Sequence, residues 1–520
     1  MKTITVSEMR ALEDNSAALG ISGFLLMENA GAAVARLVHE RKPDSSVTVF
    51  AGKGGKAGDA YVAARHLSTL RHHVTVICVE ESSGGREDVS RHFETLQNLN
   101  TVRICSLQEH VDPTDVVVDG MLGTGFRPPL VEPYSGAVAK FNETKAWKVS
   151  IDIPTGYVAD QAARPANAVK PDVVVTMHAR KKCLEALDPG VEVVVADIGI
   201  PLEASLFVGP GDVAAKVPRR APLSKKGDAG RVLVVAGSEE YTGAAILTCS
   251  GAFRAGADLV YLMSTGSTVA AARTILPELI CLKYEGQSFS ASAAEKAVKM
   301  LSKCDAVAVG PGLTYSDDVT AGVRILLEYA SKAGKPVIVD ADAIRSASDL
   351  LKAGRLPENE YIFTPHANEF KALTGSLPSL DLFERIKSVL DFARKTGFTI
   401  LLKGYCDIVA SAHQVRLSAS GVPAVAVAGT GDVLTGVTAA LKAKGLTPTD
   451  SAAVAVYALG LAGLAEYASI GEHLVASDML KHLPSALTNP MRYATAYKGR
   501  RLYSTGASIQ WEKVLDLMQR

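Results

Sequence analysis

The sequence predicts an α/β protein with two successive domains, each built on a parallel β-sheet with helices on both faces. Short apolar stretches recur along the chain, and each is followed by a longer amphipathic stretch. Strands of that kind are typical of a sheet whose two faces are both buried under helices. The chain is also 520 residues long, and a single hydrophobic core rarely organises so many residues.

The first half is predicted to begin with two helices, at 8–19 and 23–40. Ser7 is the expected N-cap of the first helix, and Gly20 is a natural residue just past its end. The short buried strands that follow, separated by helices, predict a Rossmann-like three-layer sandwich. The predicted strands are 47–51, 73–79, 102–105, 115–119, 148–153, 172–176 and 191–198.

A break rich in Gly, Pro and Arg at 210–222 marks the predicted domain boundary, and a second alternating series follows it. Its predicted strands are 231–236, 259–263, 306–309, 336–340, 361–364 and 399–402, and an Ala-rich helix is predicted at 451–467. Farther on, the chain is basic and irregular except for a short predicted helix at 511–518. This last segment could be a loosely packed tail or a subunit contact, and both interpretations stay open. The predicted domains are therefore 1–215, 220–485 and a basic tail at 486–520.

Charge and composition exclude several classes of function. Lys plus Arg and Asp plus Glu both total 55, so no net field attracts nucleic acid or an acidic membrane surface. The 7 cysteines are scattered, which is typical of thiols in a reducing compartment. The N-terminus is too polar for a signal peptide, and the longest apolar run, at 452–465, is shorter than the roughly 20 residues of a membrane span. We expect a cytoplasmic protein without nucleic-acid or membrane partners.

The strongest local signal is a glycine-rich turn that ends in a carboxylate, Ala-Gly-Thr-Gly-Asp at 428–432. The backbone N–H groups of such a turn, together with the N-terminus of the helix that follows, can hold a phosphate group. A carboxylate in the first helical turn, here Asp432, can accept the proton of a hydroxyl that attacks this phosphate. The same string can also be a simple helix cap, so its neighbours decide between the two interpretations.

Three strand ends of the first half carry polar loops. The predicted strand 47–51 runs into a glycine-rich loop at 52–60. Two later strands have Asp119 and Asp152 at their ends and lead into loops of Gly, Thr and Pro. Because ligands of doubly wound sheets bind at the carboxyl ends of the strands, we expect these three loops to line one ligand site.

The second half offers a comparable set of strand ends. These are Gly-Pro-Gly at 310–312, Asp-Ala-Asp-Ala at 340–343, Thr-Pro-His at 364–366 with Glu369, and Lys-Gly at 403–404. Taken alone, His366 would be an ordinary turn histidine and Glu369 a favourable first-turn carboxylate. Together with Asp432 they predict a cleft suited to a magnesium nucleotide and a hydroxyl-bearing second substrate.

Nearly the whole chain, about residues 1–485, resembles a known family. Its motifs are similar, in order, to those of bifunctional NAD(P)H-hydrate repair enzymes, in which an NAD(P)HX epimerase is fused to a ribokinase-like, nucleotide-dependent NAD(P)HX dehydratase. The resemblance implies a ribokinase-like three-layer sandwich for the second half. The motifs are Leu-Met-Glu-Asn-Ala-Gly at 26–31, Gly-Asp-Ala-Tyr-Val-Ala-Ala-Arg at 58–65, Val-Val-Asp-Gly-Met-Leu-Gly-Thr-Gly at 117–125, Asp-Ile-Pro-Thr-Gly at 152–156, Gly-Arg-Val-Leu-Val-Val-Ala-Gly-Ser at 230–238, Pro-Glu-Leu at 277–279, Val-Gly-Pro-Gly-Leu at 309–313, Asp-Ala-Asp-Ala at 340–343, Thr-Pro-His at 364–366 and Ala-Gly-Thr-Gly-Asp-Val-Leu-Thr-Gly at 428–436.

For the first half, the resemblance implies an epimerase site at the carboxyl edge of the sheet. Asp152 would be the acid/base group near the hydrated carbon of the nicotinamide, and Asp119 and Thr155 would be ligands of a potassium ion. The residues implied to bind the hydrated substrate are Gly55, Lys56, Ala57, Gly58, Asp59, Gly123, Thr124, Gly125, Phe126, Arg127, Pro128, Pro129 and Asp152.

One position departs from the family pattern. The potassium-binding Asn of the family is Lys56 in this chain, and an ammonium group cannot be a ligand of a cation because it carries only donors. Lys56 could reach into the pocket and supply the positive charge itself, which predicts an epimerase that needs no potassium. Alternatively its side chain points to solvent, and the other ligands hold the ion.

For the second half, the resemblance implies a dehydratase that phosphorylates the hydroxyl of the hydrate and then eliminates phosphate. Gly312 and His366 would line the hydrate pocket together with Asp432, the general base. The implied substrates are NADHX, NADPHX and ADP or ATP with Mg²⁺, and we expect a homo-oligomer. The residues implied to bind the nucleotide are Lys403, Gly404, Ala428, Gly429, Thr430 and Gly431.

Two other functions fit part of the sequence. A ribokinase-like vitamin or sugar kinase shares the Gly-Thr-Gly-Asp turn and would release a phosphorylated product. The fused first domain argues against it, as does the lack of a recognisable sugar-site motif. The first half could instead be a non-catalytic binding module, since its loop departs from the family pattern. Assaying residues 1–215 for interconversion of the R and S hydrates would separate a binding module from an epimerase.

Overall fold

The computed structural model describes residues 3–80, 86–494, 513, 514 and 517. The chain divides into two compact units, Met1–Ala204 and Ser205–Arg520, and each contains one β-sheet with flanking helices, which confirms the predicted α/β class. The units divide ahead of the predicted break at 210–222, because the helix Pro210–Lys216 packs against the helix Pro448–Ile470. The domain limits 1–215, 220–485 and 486–520 stay a prediction, and the helix predicted at 511–518 lies largely outside the described residues.

The first unit is built on a seven-stranded parallel sheet. Its strands are β1 Ser46–Ala51, β2 His73–Cys78, β3 Val102–Ser106, β4 Val116–Gly120, β5 Trp147–Ile151, β6 Val173–Met177 and β7 Glu192–Ala196. Their order is β3-β2-β1-β4-β5-β6-β7, with parallel pairing throughout. All the predicted strands of this half are present, with ends that differ by one or two residues.

The helices of the first unit include the two predicted at its start. They are Val6–Ala18, Gly23–Arg41, Gly55–Thr69, Glu87–Gln97 and Tyr134–Glu143, with a 3₁₀ turn at Lys182–Ala186. The predicted N-cap Ser7 is wrong, because Thr5 and Glu8 form a reciprocal capping box. The hydroxyl of Thr5 accepts from the Glu8 N–H at 3.2 Å, and the Glu8 carboxylate accepts from the Thr5 N–H at 2.9 Å.

Alternate residues of the first sheet face opposite hydrophobic clusters. Val49 and Val118 pack with the helices at the start of the unit, whereas Phe50 and Val117 pack with the helix Tyr134–Glu143. The sheet is therefore the middle layer of a three-layer sandwich. The strand order reverses between β1 and β4, and the loops that leave such a pair open a crevice where ligands of doubly wound sheets bind.

The second unit is built on a nine-stranded sheet. Its strands are β8 Arg231–Val235, β9 Leu259–Ser264, β10 Ile280–Lys283, β11 Ala306–Val309, β12 Val337–Val339, β13 Tyr361–Phe363, β14 Thr399–Leu402, β15 Asp407–Ala410 and β16 Val415–Ser418. Their order is β10-β9-β8-β11-β12-β13-β14-β15-β16. The strands from β10 to β14 pair in parallel, whereas β15 is antiparallel to both of its neighbours.

Alternate residues again separate into two clusters, so this unit is also a three-layer sandwich. Leu233 and Val309 face one cluster, and Val234 and Ala308 face the other. Val514, near the chain end, is buried in the first of these clusters. The helices from residue 202 onward are Leu202–Leu206, Pro210–Lys216, Thr242–Arg254, Gly266–Ile275, Ala291–Val298, Asp317–Lys332, Asp342–Lys352, Ala367–Thr374, Leu382–Thr396, Thr430–Ala443, Pro448–Ile470, Leu483–Thr488 and Met491–Ala494, with 3₁₀ turns at Leu301–Lys303, Pro423–Val425, Gly471–His473 and Ala476–Lys481.

The helix predicted at 451–467 is longer than expected. Together with its final turn it spans Pro448–His473, and by length and composition it could cross a membrane. However, 72% of its most apolar window is buried inside the protein, as in the core helix of a globular domain. The bent pair Val6–Ala18 and Gly23–Arg41 meets the same criterion only when both helices are counted as one span.

Candidate active sites

Asp119, near the end of β4, is the centre of a buried polar cluster in the first unit. Thr155 Oγ1 donates to Asp119 Oδ1 at 2.6 Å, and Ser150 Oγ donates to Oδ2 at 2.8 Å. The backbone N–H groups of Met121 and Thr155 donate to the same carboxylate at 3.2 and 2.9 Å. The structure thus brings together Asp119 and Thr155, which the sequence placed in one site.

The ammonium group of Lys56 lies in this cluster. Its Nζ donates to Asp119 Oδ2 and to the backbone carbonyl of Ile153, both at 2.7 Å. The other oxygen atoms near Nζ are the carbonyl of Leu122 at 3.4 Å, Thr155 Oγ1 at 3.4 Å and Ser150 Oγ at 3.5 Å. The side chain of Lys56 is only 3% exposed, so the alternative in which it points to solvent is wrong. Burial lowers the pKa of Lys56, and the charge of Asp119 opposes that effect.

Asp152, which directly follows β5, is held in a sparsely populated backbone conformation. Its φ is +59°, a region that is uncommon for residues other than glycine and that recurs at active sites. Asp152 Oδ1 accepts from Lys181 Nζ at 2.5 Å and from the N–H of Met177 at 3.1 Å. Sequence reasoning missed Lys181, whose side chain is 1% exposed. The one sequence feature that could have pointed to Lys181 is a basic stretch a few residues beyond the strand predicted at 172–176.

Asp59, in the first turn of the helix Gly55–Thr69, interacts electrostatically with Asp152. Burial raises the pKa of Asp59 well above its usual value, and the charges of Asp152 and Glu13 add to this effect. Burial likewise raises the pKa of Glu13, against the charge of Arg86. A carboxyl group with a raised pKa, near a second carboxyl group that accepts a hydrogen bond from an ammonium, is suited to acid/base chemistry.

The implied substrate-binding residues of the first unit occupy two segments around this cluster. Gly55, Lys56, Ala57, Gly58 and Asp59 form the first turn of the helix that follows β1, and Gly123, Thr124, Gly125, Phe126, Arg127, Pro128 and Pro129 form a loop after β4. Phe126, Pro128, Pro129 and Gly156 line part of an open groove of about 460 Å³. The lining of this groove does not include Asp152.

In the second unit, the predicted glycine-rich turn begins a helix. Gly429 has φ +91° and precedes the helix Thr430–Ala443, which places Asp432 in the first turn. The hydroxyl of Thr430 donates to the carbonyl of Val425 at 2.9 Å, which fixes the turn. The N-terminus of this helix offers backbone N–H groups and the positive end of its dipole, as an anion site requires.

Asp340, which is buried, and Lys403, which is partly buried, form an ion pair beside this turn. Lys403 Nζ donates to Asp340 Oδ1 at 3.0 Å and lies 3.9 Å from the carboxylate of Glu369. Thr364 and Thr435 also donate to Asp340, both at 2.8 Å. Burial lowers the pKa of Lys403, but the charges of Asp340 and Glu369 outweigh this, so its pKa is raised and its ammonium form is favoured.

The pKa of Asp432, another carboxyl group of this cleft, is suited to a general base. Burial, together with the charges of Asp340 and Glu369, raises the pKa of Asp432 to about 7, against the opposing charge of Lys403. Burial also raises the pKa of Glu369. A carboxylate with a pKa near neutrality is a far stronger base than an ordinary one, and about half of it is ionised near pH ~7.

The remaining predicted residues surround this cleft. Gly312 has φ +67°, and a Cβ there would lie 2.8 Å from the backbone carbonyl of Tyr241, so the close approach requires glycine. His366 is the N-cap of the helix Ala367–Thr374 and forms a capping box with Glu369, while its side chain is 54% exposed. Gly404 donates its N–H to Asp407 at 3.0 Å, and burial raises the pKa of Asp407, which sequence reasoning missed, to about 7.

Two doubly wound sheets define a two-domain α/β enzyme, and each has a lysine paired with a buried aspartate near its carboxyl edge. Among the described residues, no group of three or more His, Cys, Asp or Glu side chains is arranged to hold a metal ion. Two family descriptions match this architecture in order: YjeF-related protein N-terminus at residues 24–183 and NAD(P)H-hydrate dehydratase at residues 232–485.

Full-length relatives are similar to the chain along both units. A bifunctional NAD(P)H-hydrate repair enzyme of Pyrobaculum aerophilum is 39% identical over 511 residues, which cover 95% of this chain and 99% of that protein. One of Hyperthermus butylicus is 37% identical over 525 residues, which cover 98% and 97%. The chain belongs to the family of bifunctional NAD(P)H-hydrate repair enzymes.

A solved structure is similar to part of the chain. The ADP/ATP-dependent NAD(P)H-hydrate dehydratase from Bacillus subtilis, co-crystallised with ATP and Mg²⁺, is 28% identical to it. The likeness covers 55% of this chain and 98% of that one, with a TM-score of 0.47.

Proposed function

We propose that this chain repairs hydrated nicotinamide cofactors with two active sites. The first unit interconverts the R and S epimers of NADHX and NADPHX, and the second dehydrates the S epimer to NADH or NADPH at the expense of ADP or ATP. The observation that carries the dehydratase assignment is Asp432, a partly buried carboxyl group whose pKa is raised to about 7, in the first turn of a helix that begins after Gly429.

In the second unit, Asp432 is the general base. Its carboxylate accepts the proton of the substrate's hydroxyl while that oxygen attacks the terminal phosphorus of the nucleotide, and the bond from phosphorus to the leaving nucleotide oxygen breaks. The phosphate ester then loses phosphate with the electron pair of its carbon–oxygen bond. The neighbouring ring carbon gives up a proton, and the double bond of the dihydronicotinamide returns.

The turn at 429–431 fits phosphate groups. A Cβ on Gly431 would lie 3.3 Å from Lys403 Nζ, so glycine keeps the space between the helix N-terminus and this ammonium group open. Lys403 would therefore stabilise the charge of the transferring phosphate. Mg²⁺ that arrives with the nucleotide would neutralise further phosphate charge, with Glu369 as the carboxylate that could hold it.

In the first unit, Asp152 and Asp59 are an acid/base pair near the hydrated carbon. Asp59, whose pKa is raised, donates a proton to the hydroxyl, which leaves as water. Asp152, whose Oδ1 accepts from the ammonium group of Lys181 at 2.5 Å, accepts a proton from the water that adds to the opposite face. One proton is donated and one accepted, so the reaction inverts the carbon without net change in composition.

The proposed partners are the small molecules NADHX, NADPHX and ADP or ATP. We also propose that the chain works in the cytoplasm and assembles with copies of itself, and light scattering of the purified chain tests the assembly.

One experiment tests the proposed function. The full chain is incubated with a mixture of R- and S-NADHX and either ADP or ATP, and the absorbance of reduced nicotinamide is followed. We expect the absorbance to return with at least one nucleotide. A sugar or vitamin kinase would leave NADHX unchanged, and the lack of any return with either nucleotide would contradict the proposal.

A further inference from the structure

The ammonium group of Lys56 has the surroundings of a bound monovalent cation. Five oxygen atoms surround Nζ, two at 2.7 Å and three at 3.4 to 3.5 Å. They come from one carboxylate, two backbone carbonyls and two hydroxyls. Oxygen donors of these kinds are the ligands that hard cations prefer in proteins.

A potassium ion, which the family pattern implies, does not fit beside this ammonium group. An ion bound to Asp119 and Thr155 would have to contact oxygen atoms that Nζ already contacts, and two positive charges in direct contact repel strongly in a buried site. The carboxylate of Asp119 also has no hydrogen-bonding capacity left for an ion, because its two oxygen atoms accept five hydrogen bonds. The donors are Lys56, Met121, Ser150 and Thr155.

We propose that the ammonium group of Lys56 is the resident cation of the first site, so that this unit binds no potassium and epimerises without it. The inference rests on the proposed epimerase activity. Lys56 acts as a positioning residue: it ties the helix turn that carries Asp59 to the backbone carbonyls of Leu122 and Ile153. Those carbonyls belong to the loops after β4 and β5, and Ile153 directly follows Asp152.

The first test replaces Lys56 by Asn in the full chain and measures epimerisation without nucleotide, which leaves the second unit idle. The unmodified chain should epimerise equally fast in potassium chloride and in tetramethylammonium chloride at equal ionic strength. Lys56→Asn removes the built-in charge and opens space for an ion. Its rate in tetramethylammonium should fall by roughly 10- to 100-fold, the usual cost of losing a group that orients a site.

Rescue by ions of the right size separates a lost cation from a merely damaged fold. Potassium and rubidium should restore the rate and raise the Tm of Lys56→Asn, whereas lithium should do neither. Lys53→Asn is the matched control, since it makes the same change three residues away, on a side chain that is 62% exposed and paired with Glu80. This control should acquire no dependence on potassium.

Thallium(I), which imitates potassium and scatters strongly, tests the unmodified protein directly. Crystals soaked in thallium(I) should show no anomalous peak near Asp119. A peak there overturns the inference, and so does a Lys56→Asn protein that folds but ignores potassium. If Lys56→Asn fails to fold, the thallium measurement on the unmodified protein still shows whether a monovalent cation binds near Asp119. Failure to epimerise in any salt would refute the proposed activity alone, because the thallium result does not depend on it.

Discussion

At the scale of single residues, the dehydratase reaction depends on Asp432. Asn at this position has nearly the same shape but cannot accept a proton. Asp432→Asn should therefore retain nucleotide binding while dehydration of S-NADHX slows by roughly 10²- to 10⁴-fold, the usual contribution of a general base. Initial rates at saturating nucleotide measure the effect. Asp317→Asn, in the first turn of another helix, is the control, and near-normal turnover of Asp432→Asn would leave this residue only as a first-turn carboxylate with no role in the reaction.

The raised pKa of Asp432 also has a consequence for stability. Its pKa is about 7 in the folded state against 3.8 for an ordinary aspartate, so between these pH values the folded chain holds a proton that the unfolded chain has lost. Such a group lowers the free energy of unfolding progressively as pH rises through that window. Asp432→Asn removes the destabilisation that comes from ionising a partly buried carboxyl group. The Tm of this variant should therefore exceed that of the unmodified chain at pH about 8. The difference should shrink toward pH about 4, and a difference that grows instead would contradict the assigned burial.

Two lysines show what a sequence can and cannot reveal about a site. Lys56 interrupts a recognisable motif, so the departure was visible and one of its two interpretations placed the side chain in the pocket where the structure has it. Lys181 lies far along the chain from the loop at 55–59, and only the fold brings it to Asp152. Nothing in the local sequence distinguishes a buried lysine of this kind from a solvated one.

At the scale of secondary-structure elements, the first helix offers a sharp test of capping. Thr5→Ala removes the hydroxyl that accepts from the Glu8 N–H, and it should lower the free energy of unfolding by about 1 kcal/mol. Ser7→Ala changes the residue that the sequence favoured as the cap, although the structure places it inside the helix. Thermal unfolding of both variants measures the difference, and a larger loss for Ser7→Ala would contradict the observed cap.

The strands that sequence reasoning found and missed differ in their sequence pattern and not in length, because the predicted strands β12 and β13 have only three residues each. The central strands are continuous apolar runs buried on both faces, and they were predicted within a few residues. The missed strands β10, β15 and β16 have four residues each. Asp407 begins β15 and Arg416 lies within β16, so neither strand reads as an apolar run. Their pairing depends on neighbours that are distant in the sequence or joined by a tight turn.

At the scale of the whole molecule, the two sites belong to separate compact units, so their activities should be separable. Asp152→Asn suits the test because Asn tolerates the φ of +59° better than Ala. Epimerisation should be abolished while pure S-NADHX is dehydrated at the normal rate. With mixed epimers, the second half of the substrate should then disappear only as fast as R-NADHX epimerises spontaneously.

The control for this variant is Asp112→Ala, which changes a side chain that is 88% exposed and should leave both rates unaffected. Reduced nicotinamide absorbance from each pure epimer, with ADP or ATP present, reports the two activities separately. Rapid conversion of both epimers by Asp152→Asn would remove Asp152 from the epimerase reaction.

The two-domain class and the family were within reach of the sequence because they depend on the order of many modest motifs along the chain. The domain junction was harder to locate. A break rich in Gly and Pro indicates a turn of the chain, but the helix Pro210–Lys216 packs with the second unit. Which unit a short helix packs against depends on tertiary contacts, and these cannot be read from the local sequence.

Both units are parts of one polypeptide, which has a consequence for metabolic flux. Translation of a single message always produces the two catalysts in equal numbers, so a cell cannot adjust their ratio by gene expression. The balance between epimerising damaged cofactor and restoring it is therefore encoded in the relative turnover of the two sites. Selection on that balance can act through amino-acid changes in either unit.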